Sequence, residues 1–307
     1  MLRVQILGTT AAVPAHSRLP SAQVVSFRDR YYLIDCGEAT QLQMLRYRIR
    51  YSRLDAIFIS HMHLDHILGL PGLLATMSLY GRNFPLKLYG PAALKGVLDM
   101  LLEESGSFLT YELEFIPTND FEPGSELFST PYLSVKALPL DHRIFCRGFL
   151  FQEVNKRPRF NFYHAKSLEI PNQFFGLLKQ GNAVELPDGR VIQPEEVLHP
   201  PEAPLSYAYC SDTRYHMPLT SHIEGSNLLY HESTFMKNLQ EKANETYHST
   251  TIDAARIAEK AGVQQLILGH YSARYRDLQP LLEEAREVFP NTDLALEGRI
   301  FNLQDYV

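Results

Sequence analysis

The 307 residues are 45% hydrophobic and 21% charged, the balance of an ordinary water-soluble chain long enough for one large α/β domain or two modest ones. A net charge of −6 excludes a uniformly basic nucleic-acid binder, so any contact with RNA must come from local basic patches. No apolar run approaches membrane-spanning length, no signal peptide opens the chain, and Cys36, Cys146 and Cys210 form no Cys-x-x-Cys, which predicts free thiols and a cytoplasmic location.

In chain order, a strand over 2–7 leads into a loop at 8–21, which serves either as plain connection or as support for a nearby site. Strands follow over 22–27 and 30–35, then a helix over 38–48. That helix runs into Arg46, Arg48, Arg50 and Arg53, interleaved with Tyr47 and Tyr51. These cations, Arg48 and Arg50 among them, either clamp phosphates or simply complement a helix C-terminus.

The apolar run at 55–60 reads as a buried strand, and it ends in His61-Met62-His63-Leu64-Asp65-His66. His61 and His63 alternate, so both imidazoles point one way, while Asp65 and His66 face a second point beyond the turn. Three imidazoles and a carboxylate in six residues suit zinc, because unpaired polar groups beside a buried strand carry a desolvation cost that a metal removes.

Helices over 72–80 and 91–104 and strands over 86–89 and 113–116 come next. An extended run at 130–139 delivers His142; taken alone, a histidine at a strand end is either structural or a ligand. Residues 150–200 form a stretch of weak periodicity. Between Lys156 and Gly181 it holds Lys156, Arg157, Arg159, Lys166 and Lys179 against a single acid, Glu169, with Phe160, Phe162, Tyr163, Phe174 and Phe175 interleaved. That mixture suits a surface for RNA backbone and bases, or else an ordinary insertion.

The strand at 206–210 ends at Asp212, which makes an Asx-turn or binds a metal. Glu232 follows a run at 227–230. His248 precedes a helix over 251–261 that Ser249 or Thr250 caps and Gly262 stops, so it is a capping bystander or sits where an anionic phosphate is favoured. The last buried strand, 264–268, ends at His270, and a final helix covers 277–288.

The His-x-His-x-Asp-His pattern resembles the signature of the metallo-β-lactamase superfamily. Its flanks at 32–41 and 69–74 resemble the ribonuclease Z family of tRNA 3′-processing endonucleases, over nearly the whole chain. In that family the region matching 150–200 carries a protruding arm; Leu64 stands where the family usually has Gly, and Asn172, Gln173 and Phe174 where it usually shows a Gly-Pro-containing run near the arm's tip. The resemblance implies a four-layer αββα metallo-β-lactamase-like sandwich, one domain over 1–307 with an arm at 150–200. It also implies metal ligands at His142 and Asp212, a catalytic pairing of His248 with Glu232, a terminal motif containing Arg274, and a homodimer.

Seven candidates then fall just beyond predicted strand ends. His61, His63, His142 and Asp212 would hold one ion, and Asp65, His66, His270 and the shared Asp212 the other, as two Zn2+ per subunit or Mn2+ or another divalent ion. Two such ions about 3.5–4 Å apart acidify a water between them and neutralise phosphodiester oxygens. Asp65 would orient that water or take its proton, and His248, held by Glu232, would protonate the leaving 3′-oxygen. The expected substrate is precursor tRNA, cut to a 3′-hydroxyl tRNA and a 5′-phosphate trailer, with Arg48, Arg50, Arg157, Arg159, Lys179 and Arg274 as substrate contacts. Two other readings are a binuclear phosphodiesterase acting on a small substrate and a non-catalytic RNA- or metal-binding scaffold.

Overall fold

A computed structural model describes residues 2–306 apart from 155 and 157. The chain divides into two compact units. The larger comprises the chain up to Ser129, Ser134–Gln152 and everything from Leu205 onward, and the smaller comprises Thr130–Leu133 and Glu153–Pro204.

Two seven-stranded sheets form the larger unit. The first runs Ile300–Asn302, Leu2–Gly8, Ala22–Phe27, Arg30–Ile34, Leu54–Phe58, Leu86–Gly90, Leu113–Pro117, antiparallel up to Arg30–Ile34 and parallel beyond it. The second runs Thr292–Leu294, Gln265–Gly269, Leu228–Glu232, Ser206–Cys210, Arg147–Glu153, Leu133–Pro139, Glu126–Ser129, with its first four strands parallel. Short β-branched and aromatic runs without alternation are what strands covered on both faces require. Leu228–Glu232 is buried throughout, and Leu54–Phe58 is buried except at Asp55.

Helices Thr40–Arg46, Leu70–Leu79 and Ala93–Glu104 pack Met44, Leu73, Met77 and Leu98 with Leu33, Ile57 and Leu88 of the first sheet. Helices Thr251–Ala261 and Gln279–Arg286 pack Ile257, Ala258 and Leu281 with Leu229 and Leu266 of the second. Aromatic rings fill the space between the sheets: Phe58 lies 5.4 Å from both Phe149 and Phe151 and stacks on Tyr89 at 4.8 Å. Each fully buried Phe stabilises the unit by about 1.5–3 kcal/mol through transfer from water. The result is the expected four-layer α/β/β/α sandwich.

Local differences have local causes. The helix expected over 38–48 stops at Arg46, and Arg48 takes φ 57°, so Arg48 and Arg50 lie on the turn beyond it. The final helix begins at Gln279, whose N–H donates to Asp277 Oδ1 at 3.0 Å. Arg147–Glu153 is a strand that sequence reading does not single out, because its apolar run is only Phe149-Leu150-Phe151, flanked by Arg147-Gly148 and Gln152-Glu153.

The smaller unit has a core of its own, formed by Ala165, Ile170, Phe175, Leu178, Val184, Leu186, Ile192 and Val197. Two short ladders tie it, Arg159–Phe160 with Leu198–His199 and Val184–Glu185 with Val191–Ile192. Its cations are less free than the count over 156–181 implies. Lys156 reaches Glu153 at 2.7 Å and Arg159 reaches Glu202 at 2.9 Å, both acids from outside that window. Lys179 lies 5.0 Å over the Phe160 ring, and Lys166 lies 4.6 Å over Phe162. Arg157 lies outside the described residues.

Candidate active site

Parallel strands deliver their C-terminal residues to one edge, and both sheets of the larger unit do so here. His61 and His63 follow Leu54–Phe58, and the four-residue helical turn Leu64–Ile67 carries Asp65 and His66. His142 follows Leu133–Pro139, Asp212 follows Ser206–Cys210, and His270 follows Gln265–Gly269 in a left-handed conformation, φ 56°. Two glycines let the Asp65–His66 turn approach the Cys36 segment. A Cβ on Gly37 would stand 2.4 Å from Asp65 O, and one on Gly69 would stand 2.2 Å from Gly37 O.

The seven residues converge in two groups. His61 Nε2 and His142 Nε2 lie 3.0 and 3.3 Å from His63 Nδ1, and they lie 3.5 and 3.9 Å from Asp212 Oδ2. In the other group His66 Nε2 and His270 Nε2 lie 3.4 and 3.5 Å from Asp65 Oδ2, and 3.4 and 3.3 Å from Asp212 Oδ1. Asp212 thus offers one oxygen to each group.

The outer nitrogens decide which lone pairs face inward. His142 Nδ1 meets the Tyr247 carbonyl at 2.9 Å and His66 Nδ1 meets Asp35 Oδ2 at 2.8 Å, and both of these partners can only accept. Ser60 Oγ donates to Asp35 and so accepts from His61 Nδ1, and Thr234 Oγ1 donates to Glu232 and accepts from His270 Nδ1. Four imidazoles therefore present Nε2 to the centre, oriented by the outer partners that metal-binding histidines need.

Does this donor set fit a pair of divalent cations? His66 Nε2 and His270 Nε2 are buried and have no hydrogen-bond partner among the described residues, an arrangement that costs free energy unless something positive is shared there. Burial depresses His66, yet Asp212, Asp35 and Asp65 together push its pKa well above the ordinary value, so the position calls for positive charge that a proton or a cation supplies. Asp65 shows the converse: burial opposes its charge, and His66 and His270 hold it ionised well below the usual carboxylate range. Nitrogen and oxygen ligands in two sets with a shared carboxylate fit borderline cations such as zinc.

Asp35 is a residue of the site that sequence reading missed. It is fully buried at φ 53° and accepts from Ser60 N (2.8 Å), Ser60 Oγ (2.9 Å), His66 Nδ1 (2.8 Å) and Tyr209 OH (2.7 Å). Its signal in the sequence was an acid directly after a buried strand, which reads equally well as a turn. Asp65 has a further partner in the 8–21 loop, where Ala12 N–H donates to Oδ2 at 2.8 Å. Arg18 holds that loop by donating to the Tyr275 and Arg276 carbonyls.

Glu232 and His248 meet beside these groups. His248 Nδ1 lies 2.8 Å from Glu232 Oε1, whose carboxylate also accepts from Thr213 N and Thr234 Oγ1. Burial lowers His248, but Glu232 together with Asp212 and Asp65 outweighs it and raises the imidazole to about 9. The His248 nitrogen nearest Asp212, Nδ1 at 4.0 Å, is the one Glu232 already holds, which leaves Nε2 for a substrate. Among the other candidates, Arg274 lies 5.1 Å over the Phe235 ring and donates to Ser272 Oγ, and Phe235 in turn meets His248 edge-on at 6.2 Å. Arg48 and Arg50 are exposed and make no side-chain hydrogen bond or ion pair among the described residues.

Comparison with known proteins adds to this geometry. A family model described as anti-Pycsar protein Apyc1 matches residues 2–114. Proteins named ribonuclease Z are similar over nearly the full length: 43% identical in Parabacteroides distasonis, covering 96% of this chain and 97% of that one, and 40% identical in Bacteroides fragilis, covering 98% of each. Among solved structures, the short form of human tRNase Z aligns with TM-score 0.68 at 26% identity over 98% of this chain and 99% of its own. The metallo-β-lactamase fold protein YhfI from Bacillus subtilis aligns with TM-score 0.70 at 21% identity over 98% and 100%, a likeness of fold. Identity of this extent, on a metallo-β-lactamase fold, places the chain in the ribonuclease Z family, as a metal-dependent endoribonuclease.

Proposed function

We propose that the protein is a zinc-dependent endoribonuclease that removes 3′ trailers from precursor tRNA, leaving a 3′-hydroxyl on the tRNA and a 5′-phosphate on the trailer. The observation that carries the reading is the placement of a Glu232-held imidazole beside two ligand groups that share Asp212. His61, His63, His142 and Asp212 would hold one cation, and Asp65, His66, His270 and Asp212 the other. When bound, such a pair lowers the pKa of water and offsets charge on phosphoryl oxygens.

The chain's own groups divide the proton work. Asp65, ionised and aimed by Ala12 N–H, orients the attacking water or takes its proton. His248, protonated at neutral pH, donates from Nε2 to the departing 3′-oxygen, and Glu232 holds the ring in place. Residues 150–200 serve as an RNA-gripping arm through Lys179, Arg157 and Arg159, while Arg48, Arg50 and Arg274 contact the substrate elsewhere. A homodimer is supported by exposed Leu42, Leu45 and Leu79 on two helices that touch each other, with exposed Tyr80 directly after the second. Three free, buried cysteines suit a cytoplasmic setting, and no helix among the described residues is long and apolar enough to cross a membrane.

A second reading, a phosphodiesterase for small substrates on the same site, draws support from the arm's ion pairs, which leave fewer cations for RNA. Comparing the purified protein on a precursor tRNA and on bis(p-nitrophenyl) phosphate separates the two. The first reading expects efficient single-site cleavage of the precursor, with mapped 3′-hydroxyl and 5′-phosphate ends. Turnover of the small diester alone would contradict it.

A further inference from the structure

The cleft over the ligand groups, about 270 Å³, is lined by Ala11, Ala12, Leu64, His248 and one permanent cation, Arg143, together with the ligands His63, Asp65, Asp212 and His270. Arg143 directly follows His142 in the chain. It is exposed, and its guanidinium makes no hydrogen bond or ion pair among the described residues. The segment that carries it is nevertheless fixed on both sides. Asp141 N–H donates to Thr213 Oγ1 at 3.0 Å, His142 Nδ1 donates to the Tyr247 carbonyl, and Arg147 N–H donates to the Ser60 carbonyl at 3.0 Å.

The nearest acid in sequence is already engaged. Asp141 Oδ2 accepts from Arg214 Nε at 2.6 Å, and Arg214 also covers the Tyr247 ring at 4.5 Å. Arg147 donates to the Phe121 carbonyl and Arg274 is stacked on Phe235. Of these four arginines, Arg143 alone lines the cleft and keeps its fork of donors uncommitted. A planar guanidinium on a fixed backbone, facing a site that handles an anionic diester, matches two phosphoryl oxygens at once.

We infer that Arg143 binds the non-bridging oxygens of the scissile phosphate and is a catalytic residue of this site. The inference rests on the phosphodiesterase chemistry proposed above and not on tRNA as the substrate. Charge on those oxygens builds as the phosphorus is attacked, so a donor placed there acts on kcat as well as on binding.

The test compares Arg143→Gln and Arg143→Lys with wild type, each loaded with zinc, on precursor tRNA and on bis(p-nitrophenyl) phosphate. Inorganic phosphate serves as a competitive probe. The expected result for Arg143→Gln is a kcat/KM loss of about 10²-fold on both substrates, the size seen when one transition-state donor is removed. Phosphate inhibition should weaken in parallel, zinc content and thermal midpoint should stay at wild-type values, and Arg143→Lys should recover part of the loss. Wild-type rates on the small diester, or a loss confined to precursor tRNA, would overturn the assignment. If wild type turns over only the small diester, the tRNA reading fails while the Arg143 comparison still decides this one.

Discussion

The chemistry at single residues turns on carboxylates that hold imidazoles in a set orientation. Glu232, with Asp212 and Asp65, keeps His248 protonated up to about 9, so a reaction that needs His248 as its acid should lose rate as pH rises past that value. Substituting Glu232→Gln removes the charge that raises the imidazole, and the alkaline limb of the kcat/KM profile should then move towards neutral pH. An unmoved limb would show that another group sets it. The same shift bears on stability, since the folded value exceeds the ordinary 6.5. The pair's stabilisation is complete below the ordinary value and disappears as pH climbs to about 9. Asp35 acts one step further out. Asp35→Asn leaves a donor where His66, Ser60 and Tyr209 all need an acceptor, and zinc affinity should fall by about 10–100-fold, read by chelator competition. The six-residue cluster at 61–66 is legible in the sequence because its spacing alone requires a metal or a heavy desolvation cost. Asp35 and Arg143 are not, because one acid after a strand and one exposed arginine acquire meaning only from what the fold sets beside them.

At the scale of elements, strand ends do the positioning. The buried strand Leu54–Phe58 was visible as a short, unalternating apolar run, whereas its parallel pairing, and that of Leu228–Glu232, is set by neighbours distant in the chain. Thr250 shows the same economy. It caps Thr251–Ala261 in a reciprocal bond with Asp253, and it lies two residues beyond His248, so the cap fixes the segment that carries the proposed acid. The arm was legible as a composition change, but its charge was not. Glu153 and Glu202 reach Lys156 and Arg159 from outside the counted stretch, the first from three residues upstream and the second across the ladder that pairs Arg159 with His199. Its removal is also simpler than the sequence implies. Gln152 and Ser206 face each other in neighbouring antiparallel strands, so a two-residue turn can replace 154–204. That deletion should impair precursor tRNA cleavage far more than hydrolysis of bis(p-nitrophenyl) phosphate. Equal loss on both substrates would show that the arm supports the fold or the metal site instead of gripping RNA.

For the whole molecule, the account depends on one carboxylate with an oxygen in each ligand group. Asp212 is buried, the imidazoles His270, His66 and His61 overcome the burial that opposes its charge, and no other residue among those described touches both sets in this way. The most direct measurement is the zinc content of wild-type protein and of Asp212→Ala, prepared in the same metal-replete medium and checked for folding by circular dichroism. The account predicts about two zinc ions per wild-type chain, as in sites where a paired centre works on phosphate esters, and a loss at both positions in the folded variant. One ion or none in the wild type, or two retained without Asp212, would contradict it.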